Sequence, residues 1–264
     1  MSAFEFLRLP ERSRKPRTTG LTAMNDFGLS LSEIESVIEI AGEVIDFAKY
    51  KDHAGEIYRY SREYLVAKNT LYRKHCVRTY MGGAPFEVAY LQGKVDPYLT
   101  RVQELGFDYV KMSNYDMPEL PRAERTRLIG KASPGIGVIT VILRITQESP
   151  AAPVKWAIDE ALADLDAGAS FVTLDNKEAR LWREHEPKAL SLFAEKIGLD
   201  RILFEAGVGV EPAWFMNELG VQVNLENINV VYPNGATNIE MIRRGLHRDV
   251  KFRFIREEKA RVAE

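Results

Sequence analysis

The sequence predicts a single-domain (β/α)8 barrel of the α/β class. Three observations point there. Eight short apolar runs recur along the 264 residues, and most stop at a polar residue just before a turn or a helical pattern. Strands buried on both faces of a parallel sheet read as such continuous runs. Amphipathic stretches lie between them, the alternation expected of a parallel sheet. Eight repeats in about 250 residues favour closure into a barrel. A doubly wound open sheet would want a glycine-rich phosphate fingerprint after its first strand, and Ala23-Met24-Asn25-Asp26-Phe27-Gly28 is not one.

The runs cover residues 20–24, 44–48, 77–81, 109–112, 137–143, 171–174, 202–204 and 221–223. Between the first two, Ser30 and Glu33 form a capping-box pattern. Leu31, Ile34, Val37, Ile38 and Ala41 then recur at helical spacing up to Gly42. Further helices are expected over 98–105, ending at Gly106, and from Pro121 through Ile129. Others fit 153–167, 187–197 and 212–219, where proline opens and glycine follows the close. Residues 1–17 read as a basic N-terminal arm and 250–264 as a charged tail, with Phe252 and Phe254 as anchors. No linker or low-complexity segment divides the chain.

Net charge is −2, so no general attraction to nucleic acid or to an anionic membrane is expected. Arg12, Arg14, Lys15 and Arg17 read as a solvated arm, unless Lys15 or Arg17 folds over the barrel mouth to meet an anion. Cys76 is the only cysteine, which excludes an intrachain disulfide and a cysteine-rich zinc site. A reducing cytoplasm fits that usage. The first 17 residues lack the apolar core of a secretory signal. No run approaches the roughly 20 apolar residues that span a bilayer.

A barrel gathers the C-terminal ends of its strands into one mouth. Asp26, Lys49, Asn114, Arg144, Asp175, Lys177, Glu205 and Asn224 fall at such ends. Lys49 is the sharpest candidate. It follows an apolar strand, and a lone buried ammonium is costly, so it faces the mouth or pairs with a carboxylate. Anion binding and proton transfer are both within its chemistry. Asp175 and Glu205 are candidate ligands of a hard cation such as Mg²⁺, which often takes only one or two carboxylates; capping and pairing with a lysine are the alternatives. Gly82-Gly83 offers backbone amides to an anion. Asn114 and Asn224 either orient substrate or cap loops. His53 is a mouth residue after the second strand.

Several blocks resemble the phosphosulfolactate synthase family. They are Lys15-Pro16-Arg17-Thr18-Thr19-Gly20-Leu21-Thr22, the block 80–94 that contains Gly82-Gly83, Phe204-Glu205-Ala206, Asn224-Leu225-Glu226-Asn227-Ile228, and the block 243–249. The resemblance implies a (β/α)8 barrel that adds sulfite to the enol carbon of phosphoenolpyruvate with help from Mg²⁺, on a route to coenzyme M or sulfolactate. Such chemistry needs cationic or amide partners for phosphate and carboxylate. It also needs a metal or lysine beside the developing enediolate and a general acid for the adjacent carbon.

The chain departs from the family pattern at the mouth. After Lys49 the usual Phe-Gly-Trp-Gly-Thr becomes Tyr50-Lys51-Asp52-His53-Ala54. The fifth strand usually ends in a Glu-Val-Gly sequence followed by lysine. Here Val141 stands for the glutamate, and Arg144 or Ile145 for the lysine expected as the acid. Arginine keeps the charge but is a poor proton donor. The expected function is a phosphosulfolactate synthase-like lyase acting on a small anionic substrate. Lys49, Arg144 and His53 would be catalytic, and Arg17, Gly82, Gly83, Asn114, Lys177 and Asn224 would bind substrate. Asp175 and Glu205 would hold metal, and the resemblance implies a homo-oligomer. The alternatives are a relative repurposed to another substrate and a non-catalytic barrel that binds a ligand or partner.

Overall fold

The computed structural model describes residues 4, 6–7, 9–51, 55–117, 120–144, 153–207, 211–230 and 235–257. His53 and Ile145 lie outside the described residues.

Eight parallel strands close into a barrel in which each pairs with the next and the eighth returns to the first. They are β1 Thr22–Asp26, β2 Phe47–Tyr50, β3 Arg78–Met81, β4 Tyr109–Met112, β5 Gly137–Ile142, β6 Phe171–Leu174, β7 Ile202–Glu205 and β8 Leu225–Ile228. The helices around them are α1 Leu31–Ala41, α2 Glu56–Arg59, α3 Arg62–Lys74, α4 Ala84–Leu91, α5 Val95–Glu104, α6 Arg122–Ala132, α7 Val154–Asp166, α8 Asn176–His185, α9 Ala189–Ile197, α10 Pro212–Leu219 and α11 Ala236–Arg243. The capping box forms at the start of α1: Ser30 accepts from the Glu33 amide while Glu33 reaches back to Ser30. No helix among the described residues is long and apolar enough to cross a membrane.

Two apolar cores result from the alternation of side chains along each strand. One is the layer between strands and helices, with members such as Met24, Ala48, Val110, Ile142, Leu174 and Phe204. The other fills the barrel itself, with Leu21, Ala23, Phe47, Tyr80, Ile139, Phe171 and Leu203. Phe47 packs edge-on against Tyr80, Tyr109 and Phe171. The Arg78 guanidinium lies 4.0 Å above its ring.

Strand ends differ from the apolar runs where polar side chains are buried. β1 continues through Asn25 and Asp26. Asp26 faces outward and takes the Lys68 ammonium and the Tyr72 hydroxyl, at 2.8 and 2.9 Å. The eighth strand is not 221–223 but Leu225–Ile228. Its inward side chains are polar, so the contiguous apolar run marked the approach to the strand instead of the strand. Thr22 lies opposite Leu225 and Met24 opposite Ile228, so three steps of β8 match two of β1. Asn227 takes a left-handed φ of 62° at this bulge.

The N-terminal arm tucks in Arg12, Lys15 and Arg17, leaves Arg14 in solvent, and does not reach the mouth. It closes the opposite end of the barrel. Lys15 donates to the carbonyls of Gly42, Ile45 and His75. Arg17 is buried and pairs with Asp46 at 3.0 Å, and Asp46 also accepts the Thr22 amide. The expectation that Arg17 binds substrate is therefore corrected: its charge is spent on the carboxylate just before β2. Asn224 sits at the same end. It accepts the Leu21 amide and donates to the carbonyls of Leu199 and Ile202. Its role as a substrate-orienting group is corrected likewise, because β8 begins after it. Phe254 is buried and anchors the tail, whereas Phe252 remains 44% exposed.

Candidate active site

The C-terminal ends of the strands surround a cavity of about 450 Å³ lined by Lys49, Lys51, Gly83, Glu87, Lys111, Ser113, Tyr115, Val141, Asp175 and Glu205, among others. A second depression, between α3, α4 and α5, lies in the outer helical layer away from the strand ends.

The cavity floor is a polar layer resting on the aromatic filling of the barrel. Phe47, Lys49 and Lys51 alternate inward along and just beyond β2, and Tyr109, Lys111 and Ser113 do so along and just beyond β4. Strand β7 presents Leu203 and then Glu205. At β8 the bulge turns two successive side chains, Glu226 and Asn227, into the lumen, which is how bulges re-aim residues beside active sites.

Glu226 is the hub. It is fully buried and accepts from Lys111 at 2.7 and 2.8 Å, and from the Tyr80 hydroxyl at 2.8 Å. Lys49 lies 2.9 Å from it. Glu205 lies 3.3 Å from Lys49 and 3.5 Å from Lys111, both through Oε1. Burial pushes both glutamates up, but the two ammoniums outweigh it and hold both below the ordinary carboxylate range. Burial first, and then the Glu226 charge, raise the Tyr80 hydroxyl well above its usual value, so it stays a donor.

Lys49 also donates to Asn227 Oδ1 at 3.0 Å, and Lys51 donates to the same oxygen at 3.1 Å. Burial, then the neighbouring Lys49 charge, lowers Lys51 to about 8. Asp175 caps α8 by accepting the Lys177 amide. Burial, then the charge of Glu205, raises it to about 7, and the two carboxyls share a hydrogen bond. Inside the barrel mouth, Asn25 Oδ1 and Thr173 Oγ1 are buried without a hydrogen-bond partner among the described residues.

Lys49, Asp175, Glu205 and Gly83 thus line one space, although they come from β2 and from the ends of β6, β7 and β3. Gly83 precedes α4, and a Cβ there would collide with the Ser113 side chain. The Gly82 amide is bonded to the Tyr50 carbonyl. Lys177 stands exposed at the rim, 3.5 Å from the Tyr115 hydroxyl. Arg144 is exposed outside the cavity lining; its backbone amide is held by Glu178. Asn114 points away from the cavity and accepts from Arg125 at 2.8 Å, so it fixes the loop after β4.

Sequence reasoning missed Lys111, Tyr80 and Glu226. A signal existed for Lys111: it interrupts an apolar strand as Lys49 does, and the same desolvation argument applies. Glu226 was hidden because its strand was set too early. Glu87 was also missed. It is a buried carboxylate that accepts from Ser113 and from the Tyr115 and Asp116 amides, and so ties α4 to the β4 loop.

The sequence is similar to those of known proteins. Residues 10–249 match the family model of (2R)-phospho-3-sulfolactate synthase (ComA). The phosphosulfolactate synthase of Methanothermobacter thermautotrophicus is 32% identical, over 94% of this chain and 97% of that one. That of Methanocaldococcus jannaschii is 29% identical, over 94% and 98%, and that of Bacillus subtilis 26%, over 93% and 98%. Among solved structures, 3-hexulose-6-phosphate synthase from Salmonella typhimurium covers 86% of this chain and all of its own, with a TM-score of 0.50 at 13% identity; it shares the barrel. With the match running from the arm that closes one end through the strand that carries Glu226, the chain belongs to the phosphosulfolactate synthase family.

Proposed function

We propose that the cavity binds phosphoenolpyruvate, or a similar small phosphorylated enolisable acid, and that the protein adds sulfite or a like nucleophile to its methylene carbon. The observation that carries this reading is the floor of the cavity, where Lys49, Lys51 and Lys111 converge with Glu205 and Glu226. A dianionic phosphate and a carboxylate need several positive charges in a confined space. Three ammoniums at the C-terminal face of a barrel outnumber the two glutamates beside them and offer N–H donors to both anionic ends.

Lys49 and Lys111 are held in place by Glu226. They suit the carboxylate end of the substrate, where negative charge grows as the nucleophile adds. Ammoniums fixed before the reaction stabilise that charge without reorganising. Lys177, at the rim, suits the phosphate. Val141 offers an apolar wall on the fifth-strand side, beside the reacting carbon.

The donor set also fits magnesium. Asp175 and Glu205 lie close enough to share a proton, and a hard divalent cation would replace it. Glu205 turns Oε1 to the lysines but leaves Oε2 facing Asn176 at 3.5 Å. Asp175 and Glu205 would hold the ion, which when bound supplies Lewis-acid stabilisation to an enediolate.

The test is incubation with phosphoenolpyruvate, sulfite and Mg²⁺, with product read by mass spectrometry. Phosphosulfolactate formation that Lys49→Ala and Lys111→Met abolish supports the reading. Absence of product from the wild-type protein over hours overturns it.

A further inference from the structure

Lys51 differs from the other ammoniums of the cavity in its partners. Lys49 and Lys111 each pair with both Glu205 and Glu226. Lys51 bonds to the neutral Asn227 amide oxygen at 3.1 Å and forms no ion pair with a described carboxylate. That oxygen also receives Lys49, so a fixed positive charge stands beside Lys51. A carboxylate holds the proton on a lysine; a neutral amide next to a second ammonium does not.

We propose that Lys51 donates the proton that completes the addition. The assignment rests on the reaction proposed above. In that step the sulfite sulfur forms a bond to the methylene carbon, and the π pair moves to the neighbouring carbon and its carboxylate. Lys51 passes an Nζ proton to that carbon, which keeps its phosphoryl oxygen. The neutral amine left behind is reprotonated from water as product leaves, so protein and solvent return to their starting state.

The surroundings support a group that gives up its proton. Lys51, just past the end of β2, faces Lys49 on that strand, Lys111 on β4, Glu205 on β7 and Glu226 on β8, and both carboxylates are engaged by the other lysines. Glu87 and Asp116 line the far side, and Glu87 is occupied by Ser113 and the loop amides. Burial and the Lys49 charge bring Lys51 to about 8, close to a working pH, where an acid is effective. Asp175 also titrates near neutrality, but its proton is shared with Glu205. Tyr80 is committed to Glu226.

Two variants and one labelling measurement test the assignment. Lys51→Arg keeps the charge without a transferable proton. It is expected to hold KM within a few-fold while kcat falls about 10²-fold or more. Lys51→Met is expected to lose kcat as much and to raise KM as well. Wild-type kcat should decline as pH rises through about 8, and that limb should be absent from the residual activity of Lys51→Met. Trace acetylation with acetic anhydride, followed by mass spectrometry, should show Lys51 reaching half-reactivity near that same pH, well below exposed lysines.

Near wild-type kcat in Lys51→Arg, an unchanged alkaline limb in Lys51→Met, or acetylation tracking the exposed lysines each overturns the assignment. A wild-type protein that forms no product overturns the reaction itself. That failure is distinct from one in which the wild type turns over and Lys51→Met keeps pace.

Discussion

Lys111 and Glu226 form a two-pronged ion pair inside the barrel, with Nζ at 2.7 and 2.8 Å from the two carboxylate oxygens. Neither side chain is more than 3% exposed. Because Lys49 and Tyr80 meet the same carboxylate, removing it strands a buried charge cluster. Glu226→Gln is expected to cost about 3–5 kcal/mol in urea unfolding, the usual penalty for breaking a buried pair. The double variant Lys111→Met/Glu226→Gln should recover part of that loss. A single-variant cost under about 1 kcal/mol would mean that the cluster is not held by its charges.

The same carboxylate gives the fold an acid limit. Its folded pKa is depressed, so its contribution to stability is present above the ordinary glutamate range and lost as pH falls through the folded value. Acid unfolding of the wild type should therefore be steeper than that of Glu226→Gln, read as thermal midpoint against pH. Parallel curves for the two proteins would contradict this.

Asp175 works in the opposite direction. Its folded pKa, about 7, lies above the ordinary 3.8, so the folded state holds the proton more tightly than the unfolded chain does. The stability this contributes is present at low pH and lost as pH rises through 7. Asp175→Asn keeps a side chain able to cap α8 and removes the repulsion with Glu205. Its thermal midpoint should match the wild type near pH 4 and exceed it at pH 8, by on the order of 1–3 kcal/mol of stability. Added Mg²⁺ should raise the wild-type midpoint at pH 8 but not that of the variant. Equal gaps between the two proteins at both pH values would refute the assignment of Asp175.

Arg17 gives a test of which end of the barrel matters for what. Arg17→Met leaves Asp46 buried with only the Thr22 amide, so stability should fall by about 3–5 kcal/mol. At a temperature where the variant is folded, KM for the anionic substrate should be that of the wild type. A rise in KM with unchanged stability would return Arg17 to the mouth.

Gly83→Ala places a methyl group against Ser113, the residue that donates to Glu87. Overpacking of this kind costs about 1–3 kcal/mol. The wall of the cavity should shift with it, so KM is expected to rise. A variant as stable and as active as the wild type would show that the α4–β4 contact has room to spare.

The barrel was legible because its strands are buried on both faces. β4 and β6 coincide with their apolar runs, and α10 with the stretch from Pro212 to Gly220. Lys49 and Glu205 were legible for the same reason: a charged residue at the end of such a strand has only the mouth to face. The rest failed where polarity entered the barrel. Glu226 and Asn227 both face inward across a bulge, and no period of two anticipates two successive residues on one side. Lys111 lies within a run that reads as buried, and its partners on β7 and β8 explain why it is tolerated. Arg17 and Asn224 looked like binding groups because charge and amide suggest ligands. Both instead satisfy backbone and carboxylate groups at the closed end, and chain direction alone does not reveal that.

The arm that seals the underside of the barrel has a bearing on kinship. The string from Lys15 to Thr22 lies within the stretch that matches the family, and its two charged residues are occupied with plugging a base. Shared ancestry read from that stretch vouches for the vessel. What the vessel transforms is written at its rim, among Lys51, Val141 and their neighbours, and descendants with the same foundation are free to part ways there.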